Sequence, residues 1–207
     1  MRTASLLLLS LVPSIPALDR VGPNTGTVDA TPAAHGIEAA LPPHVFDAAL
    51  ASLQGHGLHA RMIAIADMTR PSTERRLFVV DLERNEVVLR TWVAHGRNSG
   101  DLRCTSVSDG IGSLQTSRGL FRVGAEIVSP KHGAALMLHG LDPGVNDHAE
   151  RREIIVHGAD YVGQDFIVAH GRLGRSFGCP AVSPEVMPRL IHLLANEGYL
   201  YIHFARS

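Results

Sequence analysis

The chain has 207 residues, 45% of them hydrophobic, and a formal net charge of −1. That suffices for one domain with a core of its own and is short for two. The near-neutral balance excludes a global basic surface for polyanions, and 5% aromatic residues leave little for a base-stacking platform. No nucleic-acid partner is therefore expected.

The chain opens MRTASLLLLSLVPSIPALD. Arg2 gives a short positive start, Ala4 to Val12 form an apolar run, Pro13 and Pro16 end it, and Ala17 is a small residue fit for cleavage. The run is shorter than the roughly 20 apolar residues that span a bilayer. Residues 1–17 thus read as a secretory signal peptide. The protein is expected to be exported, periplasmic or secreted, with no stable membrane anchor after signal removal. Residues 18–41 are rich in Gly, Pro, Thr and Ala without periodicity and read as a flexible leader. A single domain is expected over residues 42–207.

Pro42-Pro43 opens VFDAALASLQ, where Phe46, Leu50 and Leu53 recur at helical spacing before Gly55 and Gly57. The segments MIAIAD, RLFVVDLE and EVVLRTWVAHG follow, rich in β-branched and large apolar residues, and predict strands. ERNE, between the last two, reads as a hairpin turn. GLFRVGAEIV, ALMLHG and EIIVHGA predict three more strands. A helix is expected from Ser183 to Asn196, with Ser183 as cap, Pro184 in the first turn and Gly198 after the end. YLYIHF is a last strand. The fold class is α+β and β-rich.

Chemistry concentrates in two segments. In RSFGCPAV, residues 175–182, Cys179 lies between Gly178 and Pro180. Glycine permits a sharp turn because it lacks Cβ, and proline fixes the next φ. A thiol on such a turn, close to a cation and a helix start, is a candidate nucleophile, with Arg172 and Arg175 as the near cations. In EIIVHGADYV, residues 153–162, an apolar strand runs into His157-Gly158. An imidazole titrates near neutrality and serves as the base that a cysteine nucleophile requires. Twelve histidines invite a metal reading, and His132, His139, His157 and His170 all precede glycine. The sequence has no HExxH, CxxC or close H-x-H spacing, so no metal site and no cofactor is assigned.

The segments HGRNSG (95–100), SVSDGIGSLQTSRGLF (106–121), LMLHGLDPGVNDHAERREIIVHGADYV (136–162) and HGRLGRSFGCPAV (170–182) resemble the YkuD-type L,D-transpeptidases, in the branch labelled the murein L,D-transpeptidase catalytic domain family. The resemblance implies a mainly antiparallel β-sandwich-like domain with a few helices. It implies a peptidoglycan stem peptide as substrate and a wall-linked protein as a further acceptor. Cys179 would attack the residue-three carbonyl, expel D-alanine and form a thioester, with His157 as base. Gly178 and Cys179 N–H groups would face the oxyanion, and Ser176 would orient His157 or shape the pocket. Arg172, Arg175, His139, His170 and Tyr161 are candidates for binding substrate. Two departures stand out. Phe177 occupies a position where the better-known group has His, and Pro180-Ala181-Val182 stands where an Arg usually follows the cysteine. A hydrolase on the same bond and an idle wall-binding module are the alternatives. Cys104, in the GDLRCTSVSDG loop, raises a disulfide with Cys179 as a further possibility.

Overall fold

The computed structural model describes residues 36–205. Residues 1–17, read above as a signal peptide, and most of the expected leader lie outside the described residues. Eight strands form one sheet: β1 (Met62–Asp67), β2 (Leu77–Asp81), β3 (Glu86–Thr91), β4 (Gly119–Ser129), β5 (Gly133–Gly140), β6 (Ile155–Gly158), β7 (Ala181–Val182) and β8 (Tyr199–His203). Their order is β3-β2-β1-β8-β4-β5-β6-β7. The β-rich α+β class is as expected. Pairing is mainly antiparallel, but β1–β8 and β6–β7 are parallel, so the sheet is mixed.

The strand segments are near-continuous apolar runs because both faces of the sheet are covered. Side chains alternate across a strand. In β1, Ala64 and Ala66 enter one core cluster with Leu136, Leu138, Val156 and Leu190, while Ile63 and Ile65 enter another with Val45, Ala49, Leu53 and Phe78. Helix α4 (Met187–Leu194) covers the first face and α2 (Pro43–Gly55) the second. Each fully buried large aliphatic side chain stabilises the fold by roughly 1.5–3 kcal/mol, so these two clusters hold the sheet from both sides.

Several boundaries differ from the sequence reading. The domain begins before residue 42: α1 (Ile37–Ala40) precedes α2, Ile37 and Leu41 are buried, and Gly36 bridges Glu86 of β3. The buried stripe of α2 is Val45, Ala49 and Leu53, with Phe46 and Leu50 only half-buried. Ser183 makes no side-chain cap. Pro184–Val186 form a 3-10 turn, and α4 starts at Met187. Asn196, at φ 67, takes the left-handed turn after α4, where Asn is tolerated better than most residues. Besides α1, β7 and α3 (Gln164–His170) escaped the sequence reading. Two residues are too few for period-two alternation, and α3 has no buried stripe to give a helical period.

One closure sets up the site. β3 and β7 are the two edges of the sheet. The chain leaving β3 crosses to the far edge, where Ala94 N–H donates to Ala181 O of β7 at 2.8 Å. Arg76, fully buried, pins this crossing: its guanidinium donates to Val93 O at 3.0 Å and to His95 Nδ1 at 2.8 Å. Ser176 N–H then donates to His95 O at 3.1 Å, and Arg97 N–H donates to Ser176 O at 2.8 Å. The turn carrying Cys179 is thereby clamped to the segment that closes the sheet.

Candidate active site

His157 lies in β6, opposite Ala135 of β5 and Ala181 of β7, and is 1% exposed. Its Nδ1 lies 2.9 Å from Gly158 O. A carbonyl only accepts, so Nδ1 carries the proton and Nε2 of the neutral ring is the free base. Burial holds the His157 pKa below the ordinary histidine value, opposed by the Gly158 carbonyl and reinforced by His132 and Lys131. The imidazole is neutral at pH 7.

Cys179 enters from the turn between 176 and 180. Its thiol donates to Glu153 O at 3.8 Å. Burial pushes the thiol above the ordinary cysteine value, while the Ile155 N–H and the Arg152 guanidinium pull it back. Cys179 therefore rests as a thiol near the entrance of β6, and Ile155 and His157 point to one face of that strand, about 7 Å apart along it. Thiol and imidazole are both neutral at pH 7.

Gly178 adopts φ +128, and a Cβ there would sit 2.8 Å from Gln115 O and 2.9 Å from an Arg152 nitrogen. Only glycine fits both the backbone and the space. Ser176 is buried; its Oγ donates to Cys179 O at 2.5 Å and accepts from Gly178 N–H at 3.1 Å. Of the two roles expected of Ser176, these bonds are those of a residue that shapes the turn. The Gly178 N–H, expected to face an oxyanion, is instead engaged by Ser176 Oγ.

These features sit inside a longer match. The sequence pattern of the L,D-transpeptidase catalytic domain covers residues 38–203. The chain belongs to that family. No curated protein matches it. Among solved structures it is similar to an L,D-transpeptidase from Mycobacterium smegmatis, with 14% identity and a TM-score of 0.44 over 71% of this chain and 60% of that one. It is also similar to an L,D-transpeptidase from Stackebrandtia nassauensis (15% identity, TM-score 0.42, 72% of this chain and 58% of that one) and to L,D-transpeptidase 1 of Mycobacterium tuberculosis (12%, 0.41, 71% and 63%). This chain thus spans less than two thirds of each of those structures.

The remaining candidates of this L,D-transpeptidase domain separate into those at the site and those beside it. Tyr161 is at the site: burial and the neighbouring Cys179 push its hydroxyl up to about 12. It lines a cleft of about 560 Å³ with Lys131, His132, Gly158, Asp160 and Met187. Gly174 lets its ring approach, since a Cβ there would meet Tyr161 Cβ at 2.4 Å. Arg172 and Arg175 are not the cations beside Cys179. Both pair with Asp101, at 2.7 and 3.0 Å, and tie its loop to the 172–175 segment. His139 is bonded to the Glu150 carboxylate. His170 ends α3, where Nδ1 bonds Phe166 O at 3.1 Å and the ring stacks on Phe166. Both histidines have local partners. Cys104 and Cys179 are free, and Cys104 is buried with its thiol toward Ser106 O at 3.6 Å.

Four residues at the site were not singled out by sequence. His132, at the β4–β5 hairpin, stacks on His157. Lys131 Nζ and the Arg97 guanidinium lie 5.0 and 5.7 Å from the centre of the Phe177 ring, which is 58% exposed. The Arg152 guanidinium is the cation that pulls the Cys179 thiol pKa down. Its signal was its place in ERREIIVHG, five residues before the base. The one grouping among the described residues that could hold an ion is Asp109, Asp147 and His148, which includes none of the histidines that precede glycine. Asp109 is already bonded by Arg152 and by the His148 N–H. Among the described residues no helix is long and apolar enough to cross a membrane.

Proposed function

We propose that this domain is a cysteine L,D-transpeptidase of peptidoglycan stem peptides. Cys179 Sγ attacks the carbonyl of the third stem residue while His157 Nε2 takes the thiol proton. The tetrahedral intermediate collapses, His157 returns the proton to the leaving amine, and D-alanine departs. The thioester is then opened by the side-chain amine of a neighbouring stem or of a wall-linked protein, with His157 again as base. The Cys179 N–H and the Tyr161 hydroxyl are the donors proposed for the oxyanion. Substrate carboxylates are assigned to Lys131 and Arg97, exposed on either side of the catalytic turn, rather than to Arg172 and Arg175.

The observation that carries this reading is the seat of Cys179. Its thiol rests against the Glu153 carbonyl just before β6, and that short strand carries, one residue before its end, a histidine whose Nδ1 proton is held by the Gly158 carbonyl. Water as acceptor would make the protein an L,D-carboxypeptidase, and residues 1–17 are read as the export signal that brings it to the wall. N-terminal sequencing of secreted protein beginning near residue 18 supports export; a retained Met1 opposes it.

The test is incubation of purified protein with disaccharide-tetrapeptide muropeptides, followed by mass spectrometry, with Cys179→Ala alongside. Loss of D-alanine together with a 3-3 linked dimer, both absent from the variant, supports transpeptidation. Loss of D-alanine alone selects the carboxypeptidase. No reaction under reducing conditions leaves a wall-binding module.

A further inference from the structure

We infer that Arg152 is the cation of the catalytic centre, a positioning residue that stabilises the thiolate of Cys179 as it forms and holds the 108–117 loop against the catalytic turn. The inference rests on Cys179 as the nucleophile proposed above.

The guanidinium is 3% exposed and is held on nearly every side. One terminal nitrogen donates to Ser108 O at 3.0 Å, Asp109 Oδ1 at 3.2 Å and Ser117 Oγ at 2.5 Å. The other donates to Ser113 Oγ at 3.2 Å and Gln115 O at 2.6 Å. That second nitrogen and Gln115 O are also the two atoms that a Cβ on Gly178 would strike. The charge is thus packed against the backbone of the residue before the nucleophile.

Burial makes this matter. A buried ion acts through a lower effective dielectric than an exposed one, so its field at a forming anion is strong. A planar guanidinium with a fixed hydrogen-bond set cannot swing away as a lysine ammonium can. Asp109 neutralises only part of it, because the other four of the five partners are neutral hydroxyls or carbonyls, on Ser108, Ser113, Gln115 and Ser117. Arg172 and Arg175, the cations nearest along the chain, are paired with Asp101, and Pro180-Ala181-Val182 offers no charge after the cysteine. One segment, 152–157, then supplies the thiolate with its cation (Arg152), an N–H donor (Ile155) and its base (His157).

The experiment is the alkylation rate of Cys179 by iodoacetamide across pH 6 to 10, read at that peptide by mass spectrometry so that Cys104 does not interfere. The full chain is compared with Arg152→Gln, Arg152→Lys and Asp109→Asn, each checked by circular dichroism. Arg152→Gln should slow alkylation at pH 8 about tenfold, the equivalent of about one pKa unit for loss of a nearby opposite charge. Arg152→Lys should recover most of that rate. Asp109→Asn removes the countercharge and should speed alkylation, a sign that loosening of the loop would not give in the same way to all three. A purely structural Arg152 predicts that Gln and Lys alter alkylation alike, and that outcome overturns the inference. If Arg152→Gln does not fold, an unchanged or slower rate in folded Asp109→Asn overturns it on its own. Because no muropeptide is involved, failure of the transpeptidase reading would leave these rates unaffected.

Discussion

The imidazole of His132 lies flat on that of His157, ring centroids 3.7 Å apart and planes 25° from parallel. His132 comes from the tip of the β4–β5 hairpin, so one hairpin shields the base and also brings Lys131 to Phe177. Shielding removes water from His157, and a protonated His132 repels a second charge. Both effects disfavour imidazolium. His132→Ala should therefore raise the His157 pKa toward the ordinary value near 6.5. NMR titration of the His157 ring is the check. An unchanged or lower value would show that the stack does not tune the base.

A raised thiol and a lowered imidazole define the pH profile. A resting thiolate–imidazolium pair would alkylate at a rate that levels off well below neutrality. A neutral pair should instead show alkylation rising through pH 7 to 9 without a plateau. For turnover, kcat/KM should lose its acid limb only below about pH 6.5, where the base is protonated. Both curves report the pair rather than either residue alone. A flat alkylation profile between pH 5 and 8 would sink the neutral-pair description.

The catalytic turn is held by backbone geometry, and its substitutions should cost rate before fold. Gly178→Ala forces a Cβ against Gln115 O and Arg152 at a φ that alanine rarely adopts. Ser176→Ala leaves the half-buried Cys179 carbonyl and the buried Gly178 N–H without their partner, a loss of about 1–3 kcal/mol for the buried N–H. A displacement of the nucleophile by about 1 Å is enough to reduce turnover on the order of 100-fold. Steady-state kinetics of folded Gly178→Ala should show that fall in kcat. Activity within a few-fold of the parent would mean that the turn tolerates a Cβ.

The closure of the sheet predicts an acid-sensitive fold. Burial and the Arg76 guanidinium bring His95 down to about 4, against about 6.5 in an unfolded chain. The unfolded state takes up the proton first, so stability falls as pH drops below about 6.5 and the loss is complete below about 4. Its full size for His95 is about 3 kcal/mol. His157 and His203 are lowered too and act in the same direction. Urea unfolding at pH 7, 5.5 and 4 measures the slope. His95→Gln keeps an acceptor for Arg76 without a titrating ring, and its curve should be flatter. Equal slopes in the two proteins would remove His95 from the account.

Most of the scaffold was legible in the sequence because its strands are long apolar runs. Seven of the eight strands are announced by apolar segments, most of them rich in β-branched residues, and Asn85 marks the β2–β3 turn with a left-handed φ of 55. Cys179 and His157 were legible because glycines beside them mark places where the backbone must turn or approach closely. The sequence alone also pointed to glycine at 178 for the turn, while the part played there by the Ser176 hydroxyl came from the structure.

What only the tertiary structure decided is which charges and rings meet those residues. Arg172 and Arg175 are closest to Cys179 along the chain, yet Asp101 takes both. Arg152 is 27 positions away and becomes the cation beside the turn, because β6 pairs with β7 in parallel and so sets the residues that lead into the two strands side by side. His132 reaches His157 only through the pairing of β5 with β6, which sets Ala135 opposite the base. Local patterns record what the backbone needs at each position. Contacts between distant segments depend on strand order and register, and no single segment encodes those.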